Sequence, residues 1–169
     1  SSDVCSSDLC FFSLQLLQLI RINIPIFYIF INMKFQNIIQ EMKDKEFEHT
    51  GDCFDSSFEF MVENSIFNKI ENLKLVHGVV SGQGDLSGYR YTHAWCEDDD
   101  YVYDNSNGRN LKIPKMLYYA IGNINPKQGK YYNTEQFRRM VSHHKTKGPW
   151  EIENKYYKER YNPKTGYYD

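Results

Sequence analysis

Apolar positions along this chain change their period twice. From Met33 to Glu48 they recur at helical spacing, with Phe35, Ile38, Ile39 and Met42 on one face ahead of a charged stretch, which predicts a short amphipathic helix. Thr50-Gly51-Asp52 breaks that pattern. A second helix is expected from Cys53, because Phe54, Phe58, Met61 and Val62 fall at i, i+4, i+7 and i+8, and Asp52 is placed to cap it.

Beyond Asn72 the spacing becomes that of strands. Leu73 to Val80 reads as a first strand, Ser81 to Gly88 as a flexible glycine-rich loop, Tyr89 to Glu97 as a second strand, Asp98-Asp99-Asp100 as a turn, and Tyr101-Val102-Tyr103 as a third strand. Short helices are expected over Pro114 to Ile121 and over Thr134 to His144, the latter with Thr134 as its cap. Residues 150–169 are polar and tyrosine-rich, without an apolar period, and read as a loosely held tail. Helices followed by an antiparallel meander predict an α+β fold.

The first 32 residues are set apart from this body. Ser1 to Leu9 resembles the translation of a common short-read sequencing adapter, AGT-TCA-GAC-GTG-TGC-TCT-TCC-GAT-CT, and is excluded from fold reasoning. Cys10 to Asn32 is rich in Phe, Ile, Leu and Asn, as translated AT-rich intergenic DNA would be, so a natural start at Met33 is expected. A competing reading takes Phe11 to Ile31 as a signal or membrane-spanning segment on its length. Arg21, Asn23 and Pro25 interrupt that run, and no small-residue cleavage site is evident after it. The expectation is a cytoplasmic protein that does not touch a membrane if translation starts at Met33.

A chain of 169 residues suits one folded domain, expected over 33–149. A formal charge of −2 supplies no global attraction to nucleic acid or to an anionic membrane. Of the four cysteines, only Cys53 and Cys96 lie in the body, which fits a reducing compartment better than a disulfide framework.

The candidate chemistry begins at Cys53. A nucleophilic cysteine requires a depressed thiol pKa, which a helix N-terminus and a neighbouring imidazole provide, and free N–H groups at the same helix end can hold an oxyanion. His93 lies in the middle of the strand Tyr91-Thr92-His93-Ala94-Trp95, a rigid position for a base. Asp104 ends the next strand, where a tight hairpin returns the chain beside His93 and a carboxylate could fix the ring tautomer. Cys53, His93 and Asp104 therefore form the expected catalytic triad.

The ordered set Gly51-Asp52-Cys53-Phe54-Asp55-Ser56-Ser57, Val76-His77-Gly78-Val79, Thr92-His93-Ala94-Trp95-Cys96-Glu97 and Val102-Tyr103-Asp104 resembles the transglutaminase-like and papain-like cysteine enzymes. The resemblance covers Gly51 to Asn105. It implies a papain-like or transglutaminase-like core, with N-terminal helices packed on a small antiparallel sheet. It also implies amide hydrolysis or acyl transfer through a thioester, on a protein or peptide substrate and without a cofactor. The sequence departs from the family in a shorter hairpin between His93 and Asp104, and in Asn105-Ser106 where Pro or Thr often follows the Asp.

Other readings stay open. An arylamine N-acetyltransferase-like enzyme would share the triad but need an acyl-CoA site, and a non-catalytic binding protein of phage or mobile-element origin could keep the fold. Cys53, His77, His93 and Cys96 could form a zinc set, although strand alternation puts His93 and Cys96 on opposite faces. His77 reads as a half-buried structural histidine. Gly82-Gln83-Gly84 lacks the lysine of a phosphate loop. The basic run Arg138-Arg139, His143-His144-Lys145 and Lys147 reads as a solvated helix face, so no nucleic-acid partner is indicated.

Overall fold

A computed structural model describes residues 33–39, 51–67 and 69–168. The chain divides into two compact units, 1–44 and 45–169. In the first, α1 (33–39) is helical with Phe35 and Ile39 buried. The expected continuation of that helix to Glu48, including Met42, lies outside the described residues, as do the first 32. Among the described residues no helix is long and apolar enough to cross a membrane.

The second unit is α+β, as the change of period predicts. Helix α2 (Cys53–Phe67) leads into an antiparallel meander of β1 (Lys74–Ser81), β2 (Tyr89–Glu97), β3 (Tyr101–Asp104) and β4 (Leu111–Pro114). Then come α3 (Lys115–Ile121), β5 (Lys130–Asn133), α4 (Thr134–His144) and β6 (Tyr156–Lys158), with a small hairpin of β7 (Tyr161–Asn162) and β8 (Tyr167–Tyr168). The strand order is β4-β3-β2-β1-β5, and β6 also pairs with β2.

Strand alternation divides the core in two. Leu75, His77, Ala94, Cys96 and Tyr132 share one face, and α2 and α4 cover it. There Phe58 packs edge-on against Phe137 of α4, and the Cys96 thiol donates to the Ser57 carbonyl of α2 at 3.3 Å. Phe54, Phe58 and Met61 are buried as their spacing requires, while Val62 is only half-buried. Val76, Val80, Trp95 and Val102 line the opposite face with Ile124, and Tyr118 and Tyr119 of α3 pack against them.

Four local expectations are corrected. The stretch read as a flexible loop contains a turn of 3-10 helix at Gly84–Leu86. Helix α4 is capped by Asn133 rather than Thr134: Asn133 accepts from Gln136 N–H and the Gln136 side chain accepts from Asn133 N–H, a reciprocal capping box. The basic run is not simply solvated, since Lys147 reaches back to α2 and pairs with Asp55 at 2.7 Å and Glu59 at 3.6 Å. The segment read as a loose tail contributes buried Trp150 to the core and β6 to the sheet.

His77 is fully buried rather than half-buried. Its ring meets Phe54, Tyr132 and Trp150 at centroid distances of 5.0, 5.3 and 5.2 Å, and Nδ1 accepts from Trp150 N–H at 3.2 Å. Burial lowers its pKa from 6.5 to about 3. The unfolded chain therefore binds a proton that the folded one refuses between those values, so stability falls as pH drops through that window. The loss should approach the order of 4 kcal/mol at its acid end. Urea melts at pH 7 and pH 4 check this: His77→Gln keeps an acceptor for Trp150 but cannot titrate, and should shrink the difference between the two pH values.

Candidate active site

Strand β2 pairs with β1 from Arg90 to Glu97, but its outer edge is shared unequally. β3 takes Cys96 and Glu97, and β6 takes Tyr89 to Tyr91, with Thr92 N–H donating to the Lys155 carbonyl. His93 to Trp95 lie in the gap between these two ladders. A cleft of about 460 Å³ opens there, lined by Gly51 to Phe54 at the head of α2, by Tyr91 to His93, by Ser106 and Asn107, and by Asn154 to Tyr156. Leu86 from the 3-10 turn also lines it. A more open concavity of about 510 Å³ lies at Tyr157 to Pro163, with neither Cys53 nor His93 in its lining.

His93 and Asp104 are brought together by register. Cys96 sits opposite Tyr103, so Val102 and Asp104 fall on the same face as His93 and Trp95. Nε2 of His93 lies 2.9 Å from Oδ2 of Asp104; a carboxylate can only accept, so Nε2 carries the hydrogen. The short hairpin thus suffices to close this contact. Asp104 Oδ2 also accepts from Tyr118 O–H at 2.8 Å, and Oδ1 accepts from Ser106 N–H at 3.0 Å.

The His93 ring is held between aromatic neighbours. Tyr91 meets it edge-on with centroids 5.8 Å apart, and Trp95 lies nearly parallel at 6.2 Å. His93 is 6% exposed. Burial alone would lower its pKa, but the hydrogen bond and charge of Asp104, together with Cys53, raise it well above the usual 6.5. Burial would likewise raise the Asp104 carboxyl, and the bonds from His93, Ser106 and Tyr118 instead hold it well below the carboxylate range.

Cys53 is the first residue of α2 and half-buried. The body of α2 covers the sheet face opposite His93, and Cys53 and His93 line the same cleft at the unpaired edge of β2. Nδ1 of His93 is buried without a hydrogen-bond partner. The Cys53 thiol is nonetheless close enough to favour the charged ring.

Asp52 does not cap α2 through its side chain as expected. Its two carboxylate oxygens take the Asn107 N–H at 2.8 and 2.7 Å, tying the turn after Asp104 (Ser106–Gly108) to the head of α2. The Asp52 backbone carbonyl accepts from Ser56 N–H and starts the helix. Asn107 adopts a φ of 54°, a left-handed conformation that asparagine tolerates.

The four residues weighed as a zinc set are not brought together: Cys96 and His77 face α2, and His93 faces α3. Burial pushes the Cys96 thiol up, as befits a core cysteine. Sequence reasoning missed Tyr118, Tyr119, Glu97 and the Asp52 clamp. Glu97 is buried and accepts from Trp95 Nε1–H at 3.0 Å and Tyr119 O–H at 2.8 Å, with Lys115 at 3.2 Å. Acidic residues ending adjacent strands, with a tyrosine pair in the next helix, were the available signal.

Comparison of the chain with protein-family models, with curated proteins and with solved structures found no match.

Proposed function

We propose that this protein is a cysteine-nucleophile amide hydrolase or acyl transferase with a transglutaminase-like or papain-like core. The observation that carries this reading is the line Asp104, His93, Cys53: a carboxylate on one ring nitrogen of a buried imidazole, with the thiol facing the same ring from a helix N-terminus in an open cleft.

In this reading the Cys53 thiol gives its proton to His93 Nδ1, and Sγ attacks the carbonyl carbon of an amide, in a peptide bond or a glutamine side chain. The oxyanion gathers at the N-terminus of α2, where the dipole favours negative charge and the Asp52 carboxylate is turned away to Asn107. His93 Nδ1–H protonates the leaving amine, the C–N bond breaks and a thioester remains. His93 then takes a proton from water or an incoming amine as that nucleophile attacks the thioester, and the thiolate leaves. Asp104 keeps Nε2 protonated throughout and so presents Nδ1 to the cleft.

The test is iodoacetamide labelling across pH, with adducts located by mass spectrometry in the wild type, Cys53→Ala and His93→Ala. Rapid modification of Cys53 at neutral pH, slowed about tenfold or more in His93→Ala, supports an activated pair. Slow labelling that ignores His93 would replace this proposal with that of a binding protein on the same fold.

A further inference from the structure

Beyond the triad, we infer that Tyr118 acts on His93 through Asp104, dividing the carboxylate's hydrogen-bonding capacity and so setting how strongly it holds His93. The inference rests on the triad reading above for its catalytic meaning, although the hydrogen-bond relay it describes can be tested without it.

Tyr118 O–H and His93 Nε2–H end on the same oxygen, Oδ2 of Asp104, at 2.8 and 2.9 Å. Two donors sharing one oxygen each receive less of its charge than either would alone. The third bond, from Ser106 N–H to Oδ1, fixes the plane of the carboxylate independently. Tyr118 is therefore not needed to aim Asp104, and its hydroxyl acts chiefly on the charge that His93 feels.

Packing alone does not account for the hydroxyl. The Tyr118 ring already rests on Trp95 at 5.6 Å, where a phenylalanine would pack as well. Helix α3 is separately anchored by Tyr119 and Lys115 on Glu97. A half-buried phenol could have turned its hydroxyl to water, yet this one is aimed at the single carboxylate that contacts His93. Burial and the Asp104 charge also push the Tyr118 phenol far above its usual range, so it remains a donor wherever the protein is folded.

The experiment compares the imidazole Nε2–H proton resonance of His93 by NMR at neutral pH in the wild type, Tyr118→Phe and Tyr119→Phe. Phenylalanine preserves each ring, and thermal melts verify that each variant is folded. Tyr118→Phe should move the resonance downfield, because His93 gains Oδ2 to itself and its bond tightens. Tyr119→Phe, which touches Glu97 instead, should leave it in place. No movement in Tyr118→Phe, an upfield movement, or an equal shift in both variants overturns the inference. Failure of the triad reading would appear separately, as Cys53 labelling indifferent to His93 in the wild type.

Discussion

Under the proposed triad, Asp104→Asn should lower turnover of an amide or ester substrate by on the order of 10³-fold or more while leaving Cys53 in place. The asparagine Oδ1 can still accept from Ser106 N–H, which turns its NH₂ group toward His93 Nε2. A donor there demands a lone pair on Nε2, so the hydrogen moves to Nδ1. The ring then presents N–H to the thiol instead of a lone pair and cannot take its proton. Tyr118 O–H simultaneously loses its acceptor, and because it is only half-buried the cost should be about 1 kcal/mol. Parallel measurements of Cys53 labelling and urea stability check both halves. Wild-type labelling in a folded Asp104→Asn variant would remove Asp104 from the machinery.

The largest loss of stability is expected at Trp95. Its side chain is fully buried and joins β1, β2 and α3 in one contact set, with Tyr118 at 5.6 Å, Tyr119 at 6.1 Å and His93 at 6.2 Å. Across the ladder Gly78 makes room for it, since a Cβ at that position would come within 2.6 Å of the indole. Trp95→Ala should cost about 3–5 kcal/mol, because a cavity of that size cannot be filled by its rigid neighbours. Glu97 also loses its indole donor, although Tyr119 and Lys115 continue to hold it. Denaturant melts measure the cost. A loss under about 1 kcal/mol would show that the α3 face collapses onto the vacancy.

The two predictions separate what Trp95 and Asp104 contribute. The indole stacked on His93 is chiefly a matter of core volume, whereas the carboxylate sets the proton inventory of the ring. Gly78, which the sequence places inside a strand, is required by the indole on the next strand rather than by any turn. The shift from helical to strand spacing after Asn72 marked the order α2, β1, β2, β3 to within a residue or two, because local apolar periodicity follows directly from which side of an element is buried.

The tail and the caps were less legible for a related reason. Trp150 lies in a stretch without period, yet its N–H meets His77 Nδ1 and its carbonyl accepts from Tyr132 O–H at 2.7 Å. One residue plugged into a distant core leaves no periodic trace. Strand β6 is three residues long, too short for alternation to register. Asp52 occupied a capping position in sequence, but a carboxylate near two sets of backbone donors goes to the better placed one, and the turn at Asn107 comes close only through folding.

The sequence by itself determined the α+β order, the helix that begins at Cys53, and the placement of His93 and Asp104 on neighbouring strands, since these depend on spacing within a few residues along the chain. Tertiary structure alone decided that β3 and β6 divide the outer edge of β2 and leave the gap in which Cys53 meets His93. It also decided that Tyr118 shares the Asp104 carboxylate and that His77 is sealed beneath Trp150. The last two arrangements join residues 14 and 73 positions apart, and no local period records which distant donor will reach a given acceptor first.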